Sequence, residues 1–158
     1  MADRSDDFRH KIDPSHDDYE IEEWPFYHMA RLISLYHLKM DNALKPIGMD
    51  VPRWRVLNIL AKNEVATITE IASEAVIRMP TMAKIIQRMT SEGLVTTRTA
   101  ASDGRSTEVL LTGEGRKKLD HAKVKAGVIG RQAFLEIDDE DVKSLNDVSR
   151  RIYGNLSP

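Results

Sequence analysis

The stretch from Thr67 to Thr112, TITEIASEAVIRMPTMAKIIQRMTSEGLVTTRTAASDGRSTEVLLT, constrains the fold more than any other part of the chain, because it sets helix and strand signals in an order that few architectures accommodate. Thr67 and Glu70 stand at the S/T-x-x-E spacing of a capping box, in which a hydroxyl and a carboxylate satisfy amides left free at a helix start. A short helix therefore begins near Ile68 and turns Ile71, Ala72 and Ala75 inward. Val76 to Met79 make a turn, Pro80 suits the first turn of the next helix because its missing amide costs nothing there, and Gly93 is the stop. The second helix is expected over Met79 to Glu92.

At about 100° per residue, Met82, Ile85, Ile86 and Met89 of this helix gather on one arc and form its buried side. The opposite arc holds Pro80, Ala83, Lys84, Gln87 and Ser91, with Thr81 and Arg88 on its flanks. This solvent face is small, polar and cationic, with no carboxylate until Glu92. Beyond Gly93, Leu94 to Arg98 and Ser106 to Leu111 are compatible with strands, and Asp103-Gly104 is a favoured tight-turn dipeptide. Helix, turn, helix and hairpin make a winged helix-turn-helix. The fold class is mainly α with a small β-hairpin wing.

Charge supports a nucleic-acid reading once it is divided. The chain totals −2, yet residues 1–23 hold nine acidic and three basic residues, a net of −6, which leaves +4 for the remainder. Between Arg78 and Arg105 the balance is five basic to two acidic, net +3. A net acidic total thus hides a basic face.

The residues quoted resemble the MarR family (multiple antibiotic resistance regulators). Its wing reads Asp-x-Arg followed, six residues after the Arg, by Leu-Thr; here these are Asp103-Gly104-Arg105 and Leu111-Thr112. The segment ITEIASEAVIRMPTMAKIIQRMTSEGLV is similar to that family's helix pair in order and length, and the likeness extends from Trp24 to Leu156. Arg78 departs from the pattern, standing where the family often has a small capping residue, and it adds a cation suited to phosphate.

The resemblance implies a homodimeric, sequence-specific double-stranded DNA-binding transcriptional regulator, a repressor on a palindromic operator, released by a small aromatic or anionic ligand. Lys84, Gln87, Thr81 and Pro80 would enter the major groove, where glutamine pairs with adenine and lysine reaches guanine acceptors. Ser91, Arg88 and Arg78 would take phosphates, and Arg98 the backbone beside the wing. Arg105 resembles the family's minor-groove arginine, with Asp103 bracing it. Ligand candidates are His28, Arg31, Tyr36, Trp54 and Arg55, aromatic walls and cations near the junction of the outer helices with the winged unit.

The rest of the chain fits around this DNA-binding core of about residues 51–112. Residues 1–23 are expected to be an acidic, extended or disordered arm. Trp24 to Lys45 and Pro52 to Lys62 have apolar residues at helical spacing. Thr112 caps a helix over about Gly113 to Glu136 that buries Leu119, Ala122, Ala126, Ile129 and Phe134. The acidic run Asp138 to Asp141 opens a last helix, in which Val142, Leu145, Val148 and Ile152 are the apolar positions. The helices at about 24–45 and 113–156 are expected to clasp a second copy.

Other functions find little support. Without cysteine, thiolate chemistry and disulfides are excluded. His10, His16, His28, His37 and His121 show no HExxH or paired-ligand spacing, and no phosphate loop or nucleophile elbow is present, so no enzyme, cofactor or metal is expected. The chain has neither a membrane-spanning run nor a cationic signal segment, which places it in the cytoplasm. The alternative is a winged helix that binds only protein, which would lack the cationic face.

Overall fold

The structure is a computed structural model that describes residues 8–101 and 104–157. In chain order it contains α1 (Phe8–Lys11), α2 (Pro25–Leu44), α3 (Val51–Asn63), β1 (Val65–Thr67), α4 (Ile68–Glu74), α5 (Met79–Ser91), β2 (Val95–Thr99), β3 (Thr107–Leu111), α6 (Gly113–Ala133) and α7 (Asp139–Leu156). The three strands form one antiparallel sheet in the order β1-β3-β2.

Local chemistry accounts for most of these boundaries. Pro25 lies in the first turn of α2, which passes into a 3-10 turn at Lys45–Ile47 and stops where Gly48 takes φ 69°. Two carboxylates open α3: Asp50 Oδ1 accepts from the Arg53 amide at 3.0 Å, and Asp41 Oδ1 from the Val51 amide at 3.0 Å. The capping box of α4 is complete, with Glu70 Oε2 accepting from the Thr67 amide at 2.7 Å and Thr67 Oγ1 from the Glu70 amide at 3.2 Å. Thr112 caps α6 and Asp138 caps α7, both as expected.

The core lies where α2, α3 and α6 meet the winged unit. Met40, Leu44, Val56, Leu57, Leu60, Ile71, Met82, Ile86, Met89, Val109, Leu119 and Ala122 are each almost wholly buried. Removing one such aliphatic side chain from water is worth about 1.5–3 kcal/mol, so this cluster is what fixes α5 against its scaffold. One charged residue joins it: Arg53 is only 6% exposed.

The structure revises several expectations. The sheet has a third strand, since β1 pairs with β3 through Val65–Leu110, Ala66–Val109 and Thr67–Glu108. The wing strands are joined by the longer segment 100–106; Asp103 of the expected tight turn lies outside the described residues, as do residues 1–7, 102 and 158. Residues 8–23 are not extended: α1 is followed by successive turns, and the Glu20 amide bonds back to the Lys11 carbonyl at 3.0 Å. Ile85 is only half-buried. Helix α6 ends at Ala133 rather than Glu136, which has φ 62°, and Phe134 is exposed. The exposure of α7 is no departure, because the outer helices are expected to need a second copy: within the single chain α7 buries no residue, Leu145 and Val148 are open, and Leu135 and Leu156 are each 72% exposed.

Candidate nucleic-acid interface

Helix α5 is the centre of the site. Arg78 occupies its N-cap with extended backbone but gives no side-chain cap; its carbonyl accepts from the amides of Thr81 and Met82, both at 3.0 Å. Met82, Ile86 and Met89 face the core, while Arg78, Pro80, Thr81, Lys84, Gln87, Arg88 and Ser91 are all exposed. Pro80, Lys84, Gln87 and Ser91 follow one another at spacings of four, three and four, so they form one stripe along the helix. At its far end Gly93 takes φ 72°, and the amides of Gly93 and Leu94 bond back to Thr90 and Met89 at 3.0 and 2.9 Å.

The solvent-facing cations are not equivalent. Among the described residues Arg78 and Lys84 make no ion pair. Arg88 Nε donates to Glu92 Oε1 at 2.9 Å, and Arg98 Nε donates across the wing to Glu108 Oε2 at 2.7 Å, where the two residues stand directly opposite in the ladder. Ser91 Oγ donates to the Arg88 carbonyl at 2.7 Å, so its proton is engaged by its own helix. Arg105 is exposed near the wing tip. Arg88 and Arg98 thus have Nε engaged by an internal carboxylate while their Nη groups stay available, and the Ser91 hydroxyl proton is taken by its own helix.

Sequence reading overlooked the residue that anchors the end of α5. Arg53 Nη1 donates to Glu92 Oε2 at 2.6 Å while its Nε donates to Asp50 Oδ2 at 3.1 Å. Burial disfavours the guanidinium charge, but the hydrogen bonds and charges of Asp50 and Glu92 outweigh it, and the Arg53 pKa is raised. Glu92 thus ties α3 to α5 and holds Arg88 at the same time. The Asp50-x-x-Arg53 spacing was the only sign of this in the sequence.

The base of the wing is equally constrained. Thr112 Oγ1 donates to the carbonyls of Gly93 and Leu94 at 2.6 and 3.0 Å and accepts from the Gly115 amide at 3.0 Å. A Cβ on Gly115 would lie 2.0 Å from the Leu94 carbonyl oxygen, so only glycine lets α6 start this close to β2.

Among the described residues the ligand candidates border separate hollows. Tyr36 borders a groove of about 420 Å³ between α2 and α6, with Leu32, Ile33, Lys39, Ile129 and Phe134. Trp54 and Arg55 border a separate hollow of about 540 Å³ with Asn58, Ile59, Glu74 and Val76. Arg55 also lies against His37, Nη2 to Nε2 2.9 Å. Arg31 donates to the Tyr27 hydroxyl at 3.0 Å with its guanidinium 5.2 Å from the centre of that ring, and His28 Nε2 is 2.5 Å from the Glu22 carbonyl oxygen.

Comparison with known proteins agrees with this geometry. The model of the MarR family matches residues 47–106. The chain is 35% identical over 144 residues to the HTH-type transcriptional repressor IacR of Pseudomonas putida, covering 91% of this chain and 86% of that protein. Sco3205, a MarR family transcriptional regulator from Streptomyces coelicolor solved in complex with DNA, aligns with a TM-score of 0.77 and 26% identity over 84% of this chain and 86% of that one. CouR from Rhodococcus jostii RHA1, solved with p-coumaroyl-CoA bound, shares the fold with a TM-score of 0.79 at 19% identity, over 88% and 98% of the respective chains.

Proposed function

The chain belongs to the MarR family of transcriptional regulators, and from that premise we propose that it is a repressor, two copies of which hold a palindromic operator in the cytoplasm. Membership makes it a DNA-binding regulator and not an enzyme. The observation that carries the finer reading is the exposed stripe of Pro80, Lys84, Gln87 and Ser91 beside the wing cations Arg98 and Arg105. Lys84, Gln87, Thr81 and Pro80 read base edges, Arg78, Arg88 and Ser91 take phosphates, and Arg105 enters the minor groove. Arg98 contacts the backbone beside the wing.

The dimer is supported by apolar surface that one chain leaves uncovered on α2 (Phe26, Leu38) and on α6 and α7 (Val124, Val128, Leu145, Val148). Patches of this kind mark association surfaces. A two-fold pair of α5 helices fits half-sites about 34 Å apart. Repression is supported by the likeness to IacR, a transcriptional repressor.

An effector is assigned to the α2–α6 groove, because Tyr36, Leu32 and Ile129 give an apolar slot and Lys39 sets a cation at its edge, which suits a small aromatic acid. Trp54 and Arg55 are a weaker choice for an anion, because Glu74 shares their hollow. Titrating salicylate-like acids against the preformed complex tests this, with release of DNA as the expected result.

The reading as a whole is tested by fluorescence anisotropy with duplex DNA from upstream of the chain's own coding region. Binding is expected to weaken steeply with salt, and Arg105→Ala to cost about 1–3 kcal/mol. A protein-binding module would show no salt-dependent duplex binding, and unchanged affinity in Arg105→Ala would remove the wing from the interface.

A further inference from the structure

The turns of residues 8–23 assemble three ligand-bearing side chains that sequence spacing keeps apart. Asp13 organises the first turn: its Oδ1 accepts from the Ser15 amide and hydroxyl at 2.9 and 2.7 Å, and its carbonyl accepts from the His16 amide at 3.0 Å. The two Ser15 bonds, the hydroxyl's first, hold the Asp13 carboxyl below its ordinary range. The Glu20 amide closes the loop on Lys11, and Lys11 Nζ lies 3.3 Å from Glu20 Oε1. As a result the His10 and His16 rings stack with centroids 3.9 Å apart and planes 8° from parallel. Asp18 then brings Oδ2 to 3.7 Å from His16 Nδ1, and its amide donates to the same nitrogen at 3.2 Å.

One ligand atom from each of His10, His16 and Asp18 lies within 4.8 Å of the other two. Tetrahedral bonds of about 2.0–2.2 Å set ligand atoms roughly 3.3–3.6 Å apart, and an imidazole binds along its ring plane, so closing on an ion needs shifts of the order of 1 Å together with a turn of the two stacked rings away from parallel. His10 and Asp18 are exposed and His16 half-exposed, so side-chain rotation supplies that movement without disturbing the backbone turns.

We propose that His10, His16 and Asp18 form a binding site for a divalent transition-metal ion of the zinc class. Two imidazoles and one carboxylate are the donor set of zinc and its neighbours, and they are too nitrogen-rich for magnesium or calcium, which take oxygen ligands. Three protein ligands leave a fourth position for water. The site is independent of the DNA interface, but it is not isolated. Tyr19, next to Asp18, packs edge-on against Trp24 at 6.3 Å, and Trp24 against Phe26 at 5.5 Å. Through these rings the bound ion clamps the acidic segment onto the start of α2.

The test uses the full chain stripped of metal. Co²⁺ is titrated first as a spectroscopic probe, and Zn²⁺ is then competed against it. Saturation is expected at one equivalent per chain, with the visible d–d bands of four-coordinate Co²⁺ bleached by Zn²⁺. His10→Ala and His16→Ala are each expected to weaken binding by at least about tenfold, Asp18→Asn to weaken it less, and His121→Ala, on the surface of α6, to leave it unchanged. Trypsin supplies a second readout: Zn²⁺ should slow cleavage after Arg9 and Lys11 in the wild type but not in the His10→Ala/His16→Ala variant. Equal stoichiometry and affinity in that double variant would overturn the proposal, as would failure of the wild type to saturate with either ion.

Discussion

Replacing Arg53 by methionine tests the claim that one buried guanidinium joins α3 to the far end of α5. Methionine keeps most of the apolar volume and discards the charge, so the loss reports on the two ion pairs rather than on a cavity. Removing one member of a fully dry pair costs about 3–5 kcal/mol, because the other charge is stranded. Here the partners are not dry: the Asp50 and Glu92 side chains are 39% and 33% exposed, so water recovers part of their solvation. The expected loss is therefore lower, about 2 kcal/mol, and Arg53→Ala adds the packing deficit for a total of about 3–4 kcal/mol. Urea unfolding followed by circular dichroism, at one fixed protein concentration, measures both. Glu92→Gln completes a double-variant cycle with Arg53→Met, and a coupling of about 1 kcal/mol or more is expected. A loss under about 0.5 kcal/mol for Arg53→Met, or additive single losses in the double variant, would refute the reasoning.

Three further outcomes follow from other parts of the fold. Gly115→Ala must push α6 away from the Leu94 carbonyl and should cost about 1–3 kcal/mol in the same unfolding assay, since the clash is with backbone. Val76 is a β-branched residue at φ 53° and 73% exposed, so Val76→Gly should stabilise by up to about 1 kcal/mol, read as a raised urea midpoint. The Glu70 carboxyl is held below its ordinary range by the Thr67 amide and then the Thr67 hydroxyl; its contribution is present above the unfolded pKa and is lost as pH falls through the folded one. Glu70→Gln should accordingly flatten the acid limb of the stability profile below the usual glutamate range and leave its slope near neutrality unchanged.

What could be read from the sequence follows the range of the forces involved. Caps, stops and helical faces are local, and so Thr67 with Glu70, Gly93, Thr112 and Asp138 all predicted the ends where they act. Strand β1 was missed because three residues carry too little alternation to register, and its Thr67 is also a helix cap. Arg53 was hidden because its partner Glu92 is 39 positions away, in a helix that the sequence does not connect to α3. Helical spacing named the apolar residues of α7 but could not say whether this chain covers them. His10 and His16 escaped a search by ligand spacing because a turn, not a helix, brings their rings together. The exposed face of α5 was the most legible, since the core residues of that helix leave its other face only one direction.

The Thr112 junction bears on how such a protein transmits a change of state. One hydroxyl bonds to both sides of the hinge between the wing and α6, and the glycine beside it leaves no gap to absorb movement. A displacement of the first turn of α6 therefore meets the base of the hairpin directly, as a lever meets a fixed pin. Any swing of α6 away from the wing has to begin by breaking the Thr112 bonds.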